Sequence, residues 1–88
     1  MQSEEALHCR VCGLRFPEPP WGDDGKSPTY DFCPCCGVEF GYGDCLAIAA
    51  RNWRQKWLNN GAKWHEAAKR PIEWTLDDQL KQVPSDFV

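Results

Sequence analysis

Two copies of Cys-x-x-Cys-Gly, offset by 24 residues, and an apolar stripe at helical spacing behind them predict a small α+β fold. The expected architecture is a zinc ribbon, two metal knuckles on short antiparallel strands, followed by C-terminal helices. Residues 8–16 read HCRVCGLRF and residues 32–40 read FCPCCGVEF. Superposed, Cys9 meets Cys33, Cys12 meets Cys36, Gly13 meets Gly37, Leu14 meets Val38 and Phe16 meets Phe40. Such an internal repeat marks one supersecondary unit used twice. A turn carrying Cys-x-x-Cys points two thiolates the same way, and the following Gly supplies the positive φ that closes it.

Two such turns supply four thiolates, the tetrahedral complement of a structural zinc ion. The Cys-Pro-Cys-Cys run over 33–36 offers Cys35 or Cys36 as the second ligand of its pair. Only Cys36 keeps the spacing and the following Gly, so Cys9, Cys12, Cys33 and Cys36 are the predicted ligands of one Zn2+. Twenty residues separate the two pairs, a zinc-ribbon spacing.

The chain of 88 residues is expected to form a single domain (1–88): a ribbon over 8–43, a helical extension over 44–83 and a tail over 84–88. Residues 1–7 read as a polar lead-in. Leu14 and Phe16 alternate with polar neighbours, predicting a short hairpin. The run PEPPWGDDGKSPT over 17–29 is turn chemistry with Trp21 as its apolar anchor. Tyr30 and Phe32 flank Asp31, predicting a strand over 29–33, and Val38 and Phe40 continue the alternation. Asp44 is a candidate N-cap for a helix from about Cys45 to Asn59, with Leu46, Ala49, Ala50, Trp53, Trp57 and Leu58 as its apolar stripe. Asn60-Gly61 is a C-cap pair. A shorter helix is expected from about Ala62 to Lys69, with Trp64 and Ala68 on one face, and a last one from Thr75 with Asp78 as an approximate capping box. Residues 85–88 are expected to fray.

Composition bounds function. A chain this short buries a thin core and often needs a metal or disulfide to complete it. The N-terminus lacks a basic start and an apolar run, so no signal peptide and no membrane span are expected. The corresponding compartment is the cytoplasm, where six cysteines argue for metal rather than bridges. Net charge is −3 overall but uneven: residues 1–50 carry three basic and eight acidic groups, residues 51–70 six basic and one acidic, and residues 71–88 one and four.

The stretches CPCCGVEFGYGD (33–44) and WRQKWLNNGAKWHEAAKRPIEW (53–74) resemble a family of small bacterial proteins named for a cysteine-rich CPCC motif. That resemblance spans most of residues 9–83 and implies a zinc-ribbon fold, no enzymatic activity, and for some members a toxin–immunity setting. The knuckles are also similar to those of rubredoxin, which pairs Cys-x-x-Cys-Gly with Cys-Pro-x-Cys-Gly around iron. Tyr30-Asp31-Phe32 is similar in character to the rubredoxin approach to its second pair. The separation of the pairs is shorter here and the helices are additional, which lowers the redox reading.

Four thiolates leave no open metal position, and no nucleophile–base set, phosphate loop or catalytic carboxylate pair accompanies them. The expectation is therefore a structural metal in a non-enzyme. Cys35 and Cys45 fall outside the ligand set; a packing role is set against a reactive thiol, Cys45 standing in a first helical turn. His8 and His65 read as surface or interface residues. The basic block with Trp53, Trp57 and Trp64 suits nucleic acid. The helical stripe, however, claims Trp53 and Trp57 for the core and leaves Arg51, Arg54 and Lys56 as the solvated face. A protein partner is the expected role, with nucleic acid and membrane disfavoured and the chain a monomer or weak dimer. An electron carrier of rubredoxin type and a nucleic-acid-binding ribbon are the alternatives.

Overall fold

The structure, a computed structural model, describes residues 4–88. Its order is a 3-10 turn over Glu4–Leu7, two cysteine loops, helix α1 (Ala47–Asn59), a 3-10 turn over Ala67–Lys69, helix α2 (Leu76–Leu80) and a 3-10 turn over Ser85–Phe87. Residues 1–3 of the expected lead-in lie outside the described residues.

The expected ribbon on antiparallel strands is not present: among the described residues there is no β-strand and no sheet. What remains of it is one isolated antiparallel bridge per loop, His8 with Arg15 and Phe32 with Glu39. The pairing stops for local reasons. Pro17, next after Phe16, has no N–H to offer a ladder. Beyond the second loop, Tyr30 at φ 61° and Gly41 at φ 95° turn both flanks out of extended backbone. The predicted strand over 29–33 fails at Tyr30, and the rubredoxin-type paired strands fail with it.

The repeat nevertheless holds bond by bond. Cys9 N–H donates to the Leu14 carbonyl and Cys33 N–H to that of Val38, both at 2.8 Å. Gly13 N–H reaches the Cys9 carbonyl at 3.0 Å, and Gly37 N–H that of Cys33 at 2.9 Å. Phe16 N–H meets the Leu7 carbonyl at 2.8 Å, and Phe40 N–H that of Asp31 at 3.0 Å. The two equivalent aromatics then pack on each other, Phe16 edge-on to Phe40 with centroids 5.3 Å apart. Around this pair Val11, Val38, Ala50 and Trp57 close a small core that includes five of the cysteines.

Helix α1 is built from good helix formers with no internal Gly or Pro. It ends as the Asn60-Gly61 pair predicts, Gly61 taking φ 93° while Ala62 N–H returns to the Trp57 carbonyl at 2.9 Å. Its start differs. Asp44 does not cap it; the carboxylate is buried and accepts from Gly41 N–H at 2.9 Å and from Trp21 Nε1 at 2.8 Å, fastening the Pro-rich loop to the second cysteine loop. The inward face also differs. Ala50 and Trp57 are buried, but Leu46 is 64% exposed and Trp53 37%, and Arg54 lies half-buried between them.

The helix expected over 62–69 shrinks to Ala67–Lys69. Ala62 at φ 52° is left-handed, and the N–H groups of His65 and Glu66 are taken by carbonyls of the second cysteine loop. Helix α2 begins after Thr75, whose hydroxyl bonds the Asp78 carboxylate at 2.7 Å. The expected frayed tail is instead docked. Ser85 N–H donates to Glu5 at 3.0 Å, and the Phe87 carbonyl accepts from Arg54 at 2.6 Å.

Candidate metal centre

Each cysteine loop presents its two sulfurs inward because the closing glycine is left-handed, Gly13 at φ 85° and Gly37 at φ 78°. In the first loop, Val11 N–H lies 3.4 Å from Cys9 Sγ, a contact that spreads sulfur charge. The phenylalanine pair holds the loops face to face, and all four predicted residues converge: the Sγ atoms of Cys9, Cys12, Cys33 and Cys36 lie within 4.8 Å of one another. Cys9 Sγ is 3.8 Å from Cys36 Sγ, and Cys12 Sγ is 3.7 Å from Cys33 Sγ. A tetrahedron of sulfurs at about 2.3 Å from a central ion has edges of about 3.8 Å. Two of the six edges have that length and the rest lie within 4.8 Å, so these four side chains could hold a metal ion.

Their electrostatics point the same way. Hydrogen bonding from Cys12 above all draws Cys33 far below the ordinary thiol range, whereas burial pushes Cys12 and Cys36 far above it. Four sulfurs so close and so dry cannot all ionise without a cation among them. The protein brings one charge near. Burial lowers the Arg54 pKa, but Cys9, Cys12 and Cys36 act against that loss.

The C-terminal segment supplies the surrounding polar contacts, and sequence reading missed these residues. Arg54 Nε donates to the Val11 carbonyl at 2.6 Å, and its Nη2 to those of Arg10 at 3.1 Å and Phe87 at 2.6 Å. Buried Gln79 donates to the Cys12 carbonyl and to Cys35 Sγ, both at 3.2 Å, and accepts from Trp74 Nε1 at 2.7 Å. Trp53 Nε1 donates to the Cys36 carbonyl at 3.0 Å. His65 and Glu66 give their backbone N–H groups to Cys35 and Pro34 at 3.0 and 2.8 Å. A signal did exist: Arg54 and Gln79 are polar residues at inward positions, one between Ala50 and Trp57 and the other between Leu76 and Leu80.

The remaining candidates separate cleanly. Cys35 is fully buried, and hydrogen bonding from Cys12 and then Gln79 lowers its pKa against the opposing effect of burial. Cys45 is exposed and precedes α1 rather than packing in its first turn; its thiol donates to the Gly41 carbonyl at 3.1 Å. His8 is buried, not on the surface, and its Nδ1 donates to the Glu4 carbonyl at 2.8 Å. His65 stacks on Phe32 with centroids 6.1 Å apart.

Two Bacillus subtilis (strain 168) proteins are similar in sequence. The uncharacterized protein YozI is 29% identical over an 89-residue alignment covering 83% of this chain and 74% of that protein. The uncharacterized protein YoaQ is 29% identical over 73 residues, 66% of this chain and 62% of that protein, so less than two thirds of its length is spanned. No family model matches the chain, the CPCC family included, and no solved structure matches it. Among the described residues, no helix is long and apolar enough to cross a membrane.

Proposed function

We propose that Cys9, Cys12, Cys33 and Cys36 bind one structural zinc ion, and that the chain is a non-catalytic, metal-pinned module that docks on another protein. The observation that carries the metal assignment is the pair of sulfur separations, 3.8 and 3.7 Å, at the edge length of a zinc–thiolate tetrahedron. Four thiolates fill that coordination and leave no position for water or substrate, which supports a structural role. Thiolate sites also favour zinc over ferrous iron.

The metal supplies what the small core lacks. Binding free energies of structural zinc are about 10–16 kcal/mol, as large as the whole stability of an ordinary domain. The partner role draws support from the surface around the start of α1, a basic helix, where Tyr42 is 82% exposed and Leu46 and Ile48 also stand open. Exposed apolar side chains beside one sign of charge suit a protein face of opposite charge.

The test has two readings. Chelation under reducing conditions is expected to abolish near-ultraviolet circular dichroism; a fully retained spectrum after verified metal removal would refute the structural role. Affinity capture with the zinc-loaded chain is expected to recover a protein that Tyr42→Lys with Ile48→Glu no longer recovers. Equal recovery by both proteins would refute the docking surface.

A further inference from the structure

The strongest unassigned feature lies where the Pro-rich loop meets the docked C-terminus. A cleft of about 160 Å³ opens there, its apolar lining from Pro20, Trp21, Pro84 and Phe87 and its polar lining from Glu5, His8 and Arg10. The Arg10 guanidinium is sandwiched between two rings, its Cζ 3.9 Å from the Trp21 centroid and 4.4 Å from that of Phe87. Stacking covers its faces and leaves its edge to find partners. A guanidinium has five N–H donors in a planar fork. Two long bonds use it here, Nη1 to the Asp44 carbonyl at 3.2 Å and Nη2 to the Gly25 carbonyl at 3.4 Å.

Among the described residues no carboxylate forms an ion pair with Arg10. Asp44 bonds Gly41 and Trp21 through its carboxylate and favours the Arg10 charge only through space. Glu5, the acid at the cleft, is bonded to Ser85 through both its oxygens, at 3.0 and 3.4 Å. The cleft thus combines apolar walls, a half-buried cation and unused fork donors. Small-molecule sites have this composition, mostly apolar surface with a few fixed polar groups. Its size selects the ligand, since a cavity of about 150 Å³ accommodates one benzene-sized ring.

We propose that this cleft binds a carboxylate carried on a single apolar ring, the ring lying against Pro20, Pro84 and the ring edges of Trp21 and Phe87, and the carboxylate on the edge of Arg10. The same chemistry is offered by a free aromatic acid and by the C-terminal residue of a peptide. The inference does not depend on the metal reading, and a zinc-loaded chain is used so that its failure leaves that reading untouched.

The experiment is titration of the 15N-labelled, zinc-loaded full chain with phenylacetate, with phenylacetamide as the uncharged control. Saturable shifts at the Trp21 indole N–H, Arg10 and Phe87 are expected, with the amide at least about tenfold weaker. A ligand of about ten heavy atoms reaches roughly millimolar affinity. Absence of saturation by about 10 mM would therefore overturn the proposal. So would equal binding of acid and amide, or shifts confined to the groove of Trp53, Lys56, Trp57 and Lys63.

Acetyl-glycyl-phenylalanine and its amide form the second arm. Tighter binding of the peptide acid than of phenylacetate assigns the site to chain termini, and the reverse assigns it to free acids. Arg10→Gln is expected to abolish acid binding, with circular dichroism and zinc content checked alongside. Arg10→Lys keeps the cation but loses the fork and is expected to weaken binding about tenfold. Should Arg10→Gln not fold, the contrast of acid with amide on the unaltered chain decides alone.

Discussion

The two cysteine loops share a backbone and differ in how they are held. Residues 7–16 and 31–40 make the same three closing hydrogen bonds at equivalent positions, so local sequence is enough to shape each loop. Their surroundings are unlike. The first loop is fastened by side chains, Arg54 on the Arg10 and Val11 carbonyls and Gln79 on that of Cys12. The second is fastened largely by backbone N–H groups of His65 and Glu66, with two side-chain bonds, from Trp53 to the Cys36 carbonyl and from Gln79 to Cys35 Sγ. The first loop should therefore be vulnerable to substitution far away in the chain. The second should tolerate side-chain changes other than at Gln79, which bonds both loops, so long as residues 62–66 keep their path.

The largest test of this contrast uses the glycines that close the loops. A Cβ on Gly13 would lie 2.2 Å from the Gln79 carbonyl oxygen, a backbone atom that cannot move without α2. A Cβ on Gly37 would first meet the His65 side chain, at 3.3 Å. Gly13→Ala is expected to cost about 4 kcal/mol or to prevent folding. Gly37→Ala is expected to cost about 1–2 kcal/mol, chiefly the left-handed penalty, with a small shift of the His65 side chain. Denaturant unfolding of the zinc-loaded proteins measures both, and equal losses would erase the distinction.

Next in size is Arg54→Ala, which strips three carbonyls of a charged donor and should cost about 2–4 kcal/mol. It should also hasten zinc transfer to a chelator. Trp53→Phe removes one neutral donor from the Cys36 carbonyl and should cost about 1 kcal/mol. If Trp53→Phe proves the more damaging of the two, the first loop is not the side-chain-dependent one. The smallest effect belongs to Arg15→Ala. Its 2.7 Å pair with Glu4 sits on the outer edge of the first loop, exposed at both ends. No change in thermal midpoint is expected, because such pairs contribute little against solvent and salt.

The same contrast explains what could be read in the amino-acid sequence. The convergence of Cys9, Cys12, Cys33 and Cys36 was legible because Cys-x-x-Cys-Gly is a local instruction, and repeating it yields the same loop twice. The Asn60-Gly61 stop was legible for the same reason. The paired strands were not, because alternation at Tyr30 and Phe32 ignores a left-handed Tyr30 and the breaks at Pro17 and Gly41. The helix over 62–69 failed on a long-range competition, its N–H groups being drawn to Pro34 and Cys35. Arg54 was assigned to the outer face because a charged side chain usually faces water. Its inward path becomes visible only once carbonyls of the first loop and the C-terminus lie within its reach. Asp44 passed as a helix cap, although its partners are an indole 23 residues earlier and a glycine three residues earlier.

The most direct measurement of the central claim is native mass spectrometry with elemental analysis. The samples are the reduced full chain, Cys35→Ser and Cys36→Ser, each purified without added metal. The account predicts one zinc ion per chain in the unaltered protein and in Cys35→Ser, and a metal-free, poorly folded Cys36→Ser. A chain that takes up no metal with all six thiols reduced would contradict it. So would a Cys36→Ser protein that keeps its zinc while Cys35→Ser loses it.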